Sequence, residues 1–97
     1  MNLHHDITPG RIAHLIAIRE AVPGTAARPQ RLRLLEAIHR LGHVTTFEAS
    51  RYLDIYHPPA RKRELVKAGY RVITLMRDVI TESGKRHRVG LYTLERV

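Results

Sequence analysis

Ninety-seven residues make one small domain with at most a terminal arm. A chain this short buries only about two-thirds of its unfolded surface, which leaves little room for a substrate pocket and its supporting shell and argues against an enzyme. Seventeen lysines and arginines against nine acids give a formal charge of +8, the balance of a chain that meets a polyanion, and the absence of cysteine excludes disulfides and thiolate metal sites.

The first seven residues are polar and expected to fray. Thr8 before Pro9 fits an N-cap with proline at the first helical position, and Ile12, Leu15, Ile16 and Val22 follow at helical spacing, with Arg19 inside their stripe. The near-apolar run at 12–18 is broken by His14 and too short to span a bilayer, and nothing resembles a signal peptide, so a soluble cytoplasmic protein is expected. "PGTAARP" at 23–29 reads as a linker that divides an N-terminal arm, residues 1–28, from a domain at 29–97.

From Pro29, Leu34, Leu35, Ile38 and Leu41 form one apolar stripe, with Arg33, Glu36 and Arg40 opposite, and Gly42 stops the helix. "TTFE" at 45–48 has the spacing of a capping box, in which Thr45 accepts from the amide three residues on and Glu48 reaches back. It opens a short helix, about 46–53, in which Ala49 lets a neighbouring helix approach; Leu53 and Ile55 then close the core, and Asp54 supports a tight turn. Pro58 and Pro59 open the next helix at positions that need no amide donor, and Gly69 ends it. Beyond Gly69 the period changes. "YRVITLMRDVIT" at 70–81 is answered by "HRVGLYTL" at 87–94, a hairpin with Ser83 and Gly84 in its turn and apolar residues on both faces.

Helix, capped short helix, tight turn, basic helix and hairpin, in that order, describe an α+β fold: a winged helix-turn-helix with a three-helix core, a C-terminal β-hairpin wing and an extra N-terminal helix. "VTTFEASRYLDI", "HPPARKRELVKAGYRV" and "GKRHRVGLYTL" resemble the short helix-turn-helix domain proteins of phage, prophage and plasmid genomes, over residues 29–95. The resemblance implies DNA binding and a regulatory or accessory role on a mobile element. The chain departs from the usual pattern at Asp54, where glycine is common, and at Lys62, where an apolar residue is common.

Stepping 100° per residue along the basic helix puts Pro58, Leu65 and Val66 on the buried side and points Ala60, Arg63, Glu64 and Lys67 away from it. Lys62 falls in the buried arc and must snorkel; Arg61 is on the flank, equally placed for DNA or for a carboxylate of the fold. Arg63 is placed to read guanine, Lys67 to meet phosphate, and Glu64 to accept from cytosine or to pair with Lys67. At the wing, Lys85, Arg86, His87 and Arg88 crowd like charges around a turn, a pattern that suits phosphate. Arg31, Arg33, Arg51 and Arg71 are expected to add to the general field.

His39 and His43 are four apart, but Gly42 ends the helix between them and no third ligand converges, so no metal site is expected. No catalytic arrangement, cofactor motif or small-molecule site stands out. The aromatic residues are too dispersed for a base-stacking platform, which favours duplex over single-stranded nucleic acid. The expected partner is double-stranded DNA, bound by a homodimer or by copies side by side, as a nucleoid-associated transcriptional regulator or recombination accessory factor. Two roles are open to the arm helix: it joins copies, or it completes the core. The alternative function is a winged-helix protein-interaction module whose charge meets an acidic partner protein.

Overall fold

Thr8 caps the first helix, its hydroxyl accepting from the Arg11 amide at 3.1 Å with Pro9 behind it. The computed structural model describes residues 8–80 and 83–95. Helices and strands follow in the order α1 (Pro9–Ala21), α2 (Ala27–Leu41), β1 (His43–Thr45), α3 (Thr46–Arg51), α4 (Pro58–Lys67), β2 (Val72–Ile80) and β3 (Arg86–Leu94). The wing hairpin joins β1 in an antiparallel sheet of order β1-β3-β2.

The buried residues of α1 are Leu15 and Ile18, and both belong to the core formed with α2, α3 and the sheet. The expected stripe is therefore displaced: Ile12 and Ile16 flank it half-buried, and Ile18 takes the place given to Val22. In α2, which begins two residues earlier than Pro29, Leu34, Leu35, Ala37 and Ile38 are buried and Leu41 packs against them. Gly42 ends the helix at φ 87°, a backbone conformation that side chains with a Cβ resist.

Arg33 corrects the sequence reading. Expected opposite the apolar stripe, it is 1% exposed. It shares a buried side of α2 with Gln30 and Ala37 and faces two turns there, whereas Arg40 is exposed. Arg33 Nε donates to the Leu53 carbonyl at 2.7 Å, Nη1 to those of Val22 and Gly24 at 2.7 and 2.9 Å, and Nη2 to that of Asp54 at 3.1 Å. One guanidinium thus satisfies carbonyls of both the α1–α2 linker and the turn after α3, a fork geometry only arginine supplies.

Strand β1 is absent from the sequence reading. Three residues that run from a helix stop into the cap of the next helix carry no periodicity; they become a strand because β3 lies alongside, with Val44 opposite Tyr92. Val44, Tyr92 and Val72 turn into the core on one face of the sheet. The capping box forms as expected: Thr45 Oγ1 accepts from the Glu48 amide at 3.1 Å and Glu48 Oε1 accepts from the Thr45 amide at 3.0 Å. Helix α3 stops at Arg51, short of the expected Leu53, which with Ile55 and Ala49 is buried in the core. Asp54 makes the turn with φ 55°. Gly69, at φ 103°, closes α4, and the Tyr70 amide returns to the Leu65 carbonyl at 3.0 Å.

Candidate nucleic-acid interface

Helix α4 buries Pro58 and Leu65, seven residues apart, with Arg61 and Lys62 half-buried between them. These positions are i, i+3, i+4 and i+7, one side of a helix. The buried stripe is therefore centred one position earlier than expected, and Val66, 46% exposed, is not part of it. The outward stripe reads Pro59, Arg63, Val66 and Lys67. Arg63 and Lys67 are exposed, as candidates for groove contacts must be.

Arg61 and Glu64 are engaged within the protein. Arg61 Nη2 donates to Glu64 Oε2 at 2.9 Å, and its Nε lies 2.8 Å from Oε1. From α2, Arg31 Nη1 reaches Oε1 at 3.3 Å. The carboxylate is thus held between two guanidiniums, and in place of the expected Lys67 it pairs with Arg61 within α4 and with Arg31 across from α2. Partial burial disfavours the Glu64 charge, but the hydrogen bonds and charges of Arg61 and Arg31 outweigh it and hold the carboxyl below its ordinary range.

At the wing, Lys85, Arg86, His87 and Arg88 are all exposed. Alternation puts Arg86 and Arg88 on one face, Asp78 opposite Arg88, and His87 on the other face opposite Val79. Gly90 lets β3 run close to α3, since a Cβ there would stand 3.2 Å from the Thr46 methyl. The wing strand and the first residue of α3 are thereby in contact range.

A third group of residues escaped the sequence reading. Thr46, Phe47, Ser50 and Arg51 of α3, with Pro58 and Pro59 of α4, line an open cleft of about 650 Å³. The Arg51 guanidinium lies 5.8 Å from the Phe47 ring centre and 5.7 Å from that of Tyr52, and the two rings meet edge to face at 6.3 Å. The signal was available in "TTFEASR": Thr46 with Ser50 and Phe47 with Arg51 are both i, i+4 pairs. Arg51 stands on the rim of this cleft.

Behind α3, Glu48 is 1% exposed and bonded by Arg11 of α1 at 2.6 Å. Arg11 Nη2 also donates to the His43 carbonyl at 2.8 Å. The His43 imidazole, whose Nε2 is 3.4 Å from Arg77 Nη1, has its pKa lowered by burial and by the Arg11 charge, with Glu48 opposing. Among the described residues no three metal-ligating side chains converge, and no helix is long and apolar enough to cross a membrane.

A family model described as a winged helix-turn-helix domain matches residues 29–97. Comparison with curated proteins and with solved structures gave no match.

Proposed function

The chain belongs to the winged helix-turn-helix domain family, a DNA-binding architecture, and we propose that it binds duplex DNA with α4 in the major groove and the wing on flanking phosphate or the minor groove. The observation that carries this reading is the outward stripe of α4. Its two charges, Arg63 and Lys67, are exposed cations, while Arg61 and Arg31 are already committed to Glu64. Arg63 reads a base edge and Lys67, near the helix end, meets phosphate. Lys85, Arg86, His87 and Arg88 supply sequence-independent affinity by counterion release.

The biological role that fits is a transcriptional regulator or a recombination accessory factor of a mobile element, acting at the nucleoid. One such module covers a short site, so binding by a homodimer on an inverted repeat, or by copies side by side, accompanies this reading.

A mobility-shift titration against random duplex at two salt concentrations tests it. Five or six phosphate contacts give a log-log slope of roughly −5. No binding at low salt would sink the proposal and leave a protein-interaction module with an acidic partner as the better account of the charge.

A further inference from the structure

The first turn of α4 is unusual for a helix that enters a groove, because it offers no backbone donor. Pro58 and Pro59 have no amide hydrogen, and the amides of Ala60 and Arg61 both donate to the His57 carbonyl, at 3.0 and 3.2 Å. A helix N-terminus ordinarily holds phosphate through free amides. This one cannot, and presents ring carbon instead: Pro59 outward, Pro58 beneath it, and Phe47 across the cleft from α3.

Around this carbon the surface is polar and cationic. Ser50 and Arg51 form the α3 rim, with Arg51 set against Phe47 and Tyr52, and Arg63 follows Pro59 on the same stripe of α4. On the edges of DNA bases in the major groove one apolar group is displayed, the methyl on C5 of thymine. An apolar recess ringed by polar groups on a polyanion-binding face complements that group among the base edges of the major groove, and a methyl fills only the part of the open cleft beside Pro59.

We propose that the cleft between α3 and α4 seats the 5-methyl group of a pyrimidine. The inference rests on the duplex reading above and adds to it a base preference at the start of α4. It also sets a spacing. Pro59 and Arg63 are i, i+4 neighbours about 6 Å apart, and base pairs rise by about 3.4 Å, so the methyl lies one or two steps from the guanine read by Arg63.

The test begins with fragments selected by the protein from a random duplex pool, in which each thymine is replaced in turn by deoxyuridine. Loss of one seated methyl weakens binding about three- to fivefold, at a thymine within two steps of a guanine, and other thymines are silent. At that position 5-methylcytosine binds better than cytosine, which separates the methyl group from the rest of the thymine base. In Pro59→Ser, an exposed substitution, thymine and deoxyuridine duplexes bind alike; Phe47→Ala gives the same result if it folds. Selective binding with no deoxyuridine-sensitive position, or a sensitivity that survives Pro59→Ser, overturns the methyl seat and leaves the duplex reading standing. Failure to bind any duplex overturns both.

Discussion

Arg11 closes on Glu48 from a helix outside the family-matched region: Nε lies 2.6 Å from Oε2 and Nη2 3.1 Å from Oε1 of a carboxylate that is 1% exposed. The same carboxylate closes the capping box of α3. Removing the guanidinium leaves a buried charge without its ionic partner, so Arg11→Ala is expected to cost about 3 kcal/mol in a urea melt. Arg11→Lys keeps the charge but loses the fork and falls between. A loss under about 0.5 kcal/mol for Arg11→Ala would show that the pair is dispensable.

Much of the fold was legible because its signals are local. Thr8–Pro9, the Thr45–Glu48 box, Pro58–Pro59, Gly42, Gly69 and Asp54 each state a backbone requirement within a few residues, and each stands where its chemistry places it. What escaped depends on partners distant in sequence. Arg33 looks solvated until the Leu53 carbonyl, 20 residues on, is brought to it, and β1 exists because β3 arrives some 50 residues later. Val66 was misplaced because Pro58, Arg61, Lys62 and Leu65 form the inward stripe, and charge at two of the four hid it. In the candidate site, Arg63 and Lys67 are exposed as expected, whereas the α3 cleft needed Phe47 and Pro59 to meet across a turn.

Glu64 withholds two arginines from solution. Glu64→Gln should remove a negative charge and release Arg31 toward phosphate, raise affinity for random duplex several-fold and steepen its salt slope by about 1. The ratio of cognate to random affinity should fall. If Glu64 instead read cytosine, the substitution would weaken cognate binding and leave random duplex unchanged, and the paired titrations separate the two outcomes.

Arg63 and Arg86 occupy different kinds of contact in the proposed complex, base edge and phosphate. Arg63→Ala is expected to reduce discrimination between cognate and random duplex by about 1–3 kcal/mol. Arg86→Ala should weaken both together and lower the salt slope by about 1. Equal losses for the two variants would remove base reading from α4.

The His43 pKa lies below its ordinary value of 6.5, through burial first and then the charge of Arg11, with Arg77 on β2 also within 3.4 Å and Glu48 opposing. In that window the unfolded chain binds a proton that the folded one resists. The contribution to stability is complete above pH 6.5 and is lost as pH falls to and through the folded value. Urea melts between pH 7.5 and 5 should show a steeper loss for the native sequence than for His43→Gln. Parallel curves would remove His43 from the pH response.

Strand β3 has neighbours of unequal length. Leu91, Tyr92 and Thr93 lie between β1 and β2, whereas residues 86–90 pair with β2 alone among the described residues. The wing is thus a cantilever, clamped at its root beside the residue that caps α3 and reaching about 17 Å beyond it as a two-stranded ribbon. Such ribbons twist more readily than wider sheets. In the proposed complex, torsion of the arm shifts Arg86 and Arg88 relative to α4 while the clamped root stays fixed, so the same wing meets flanks of differing shape.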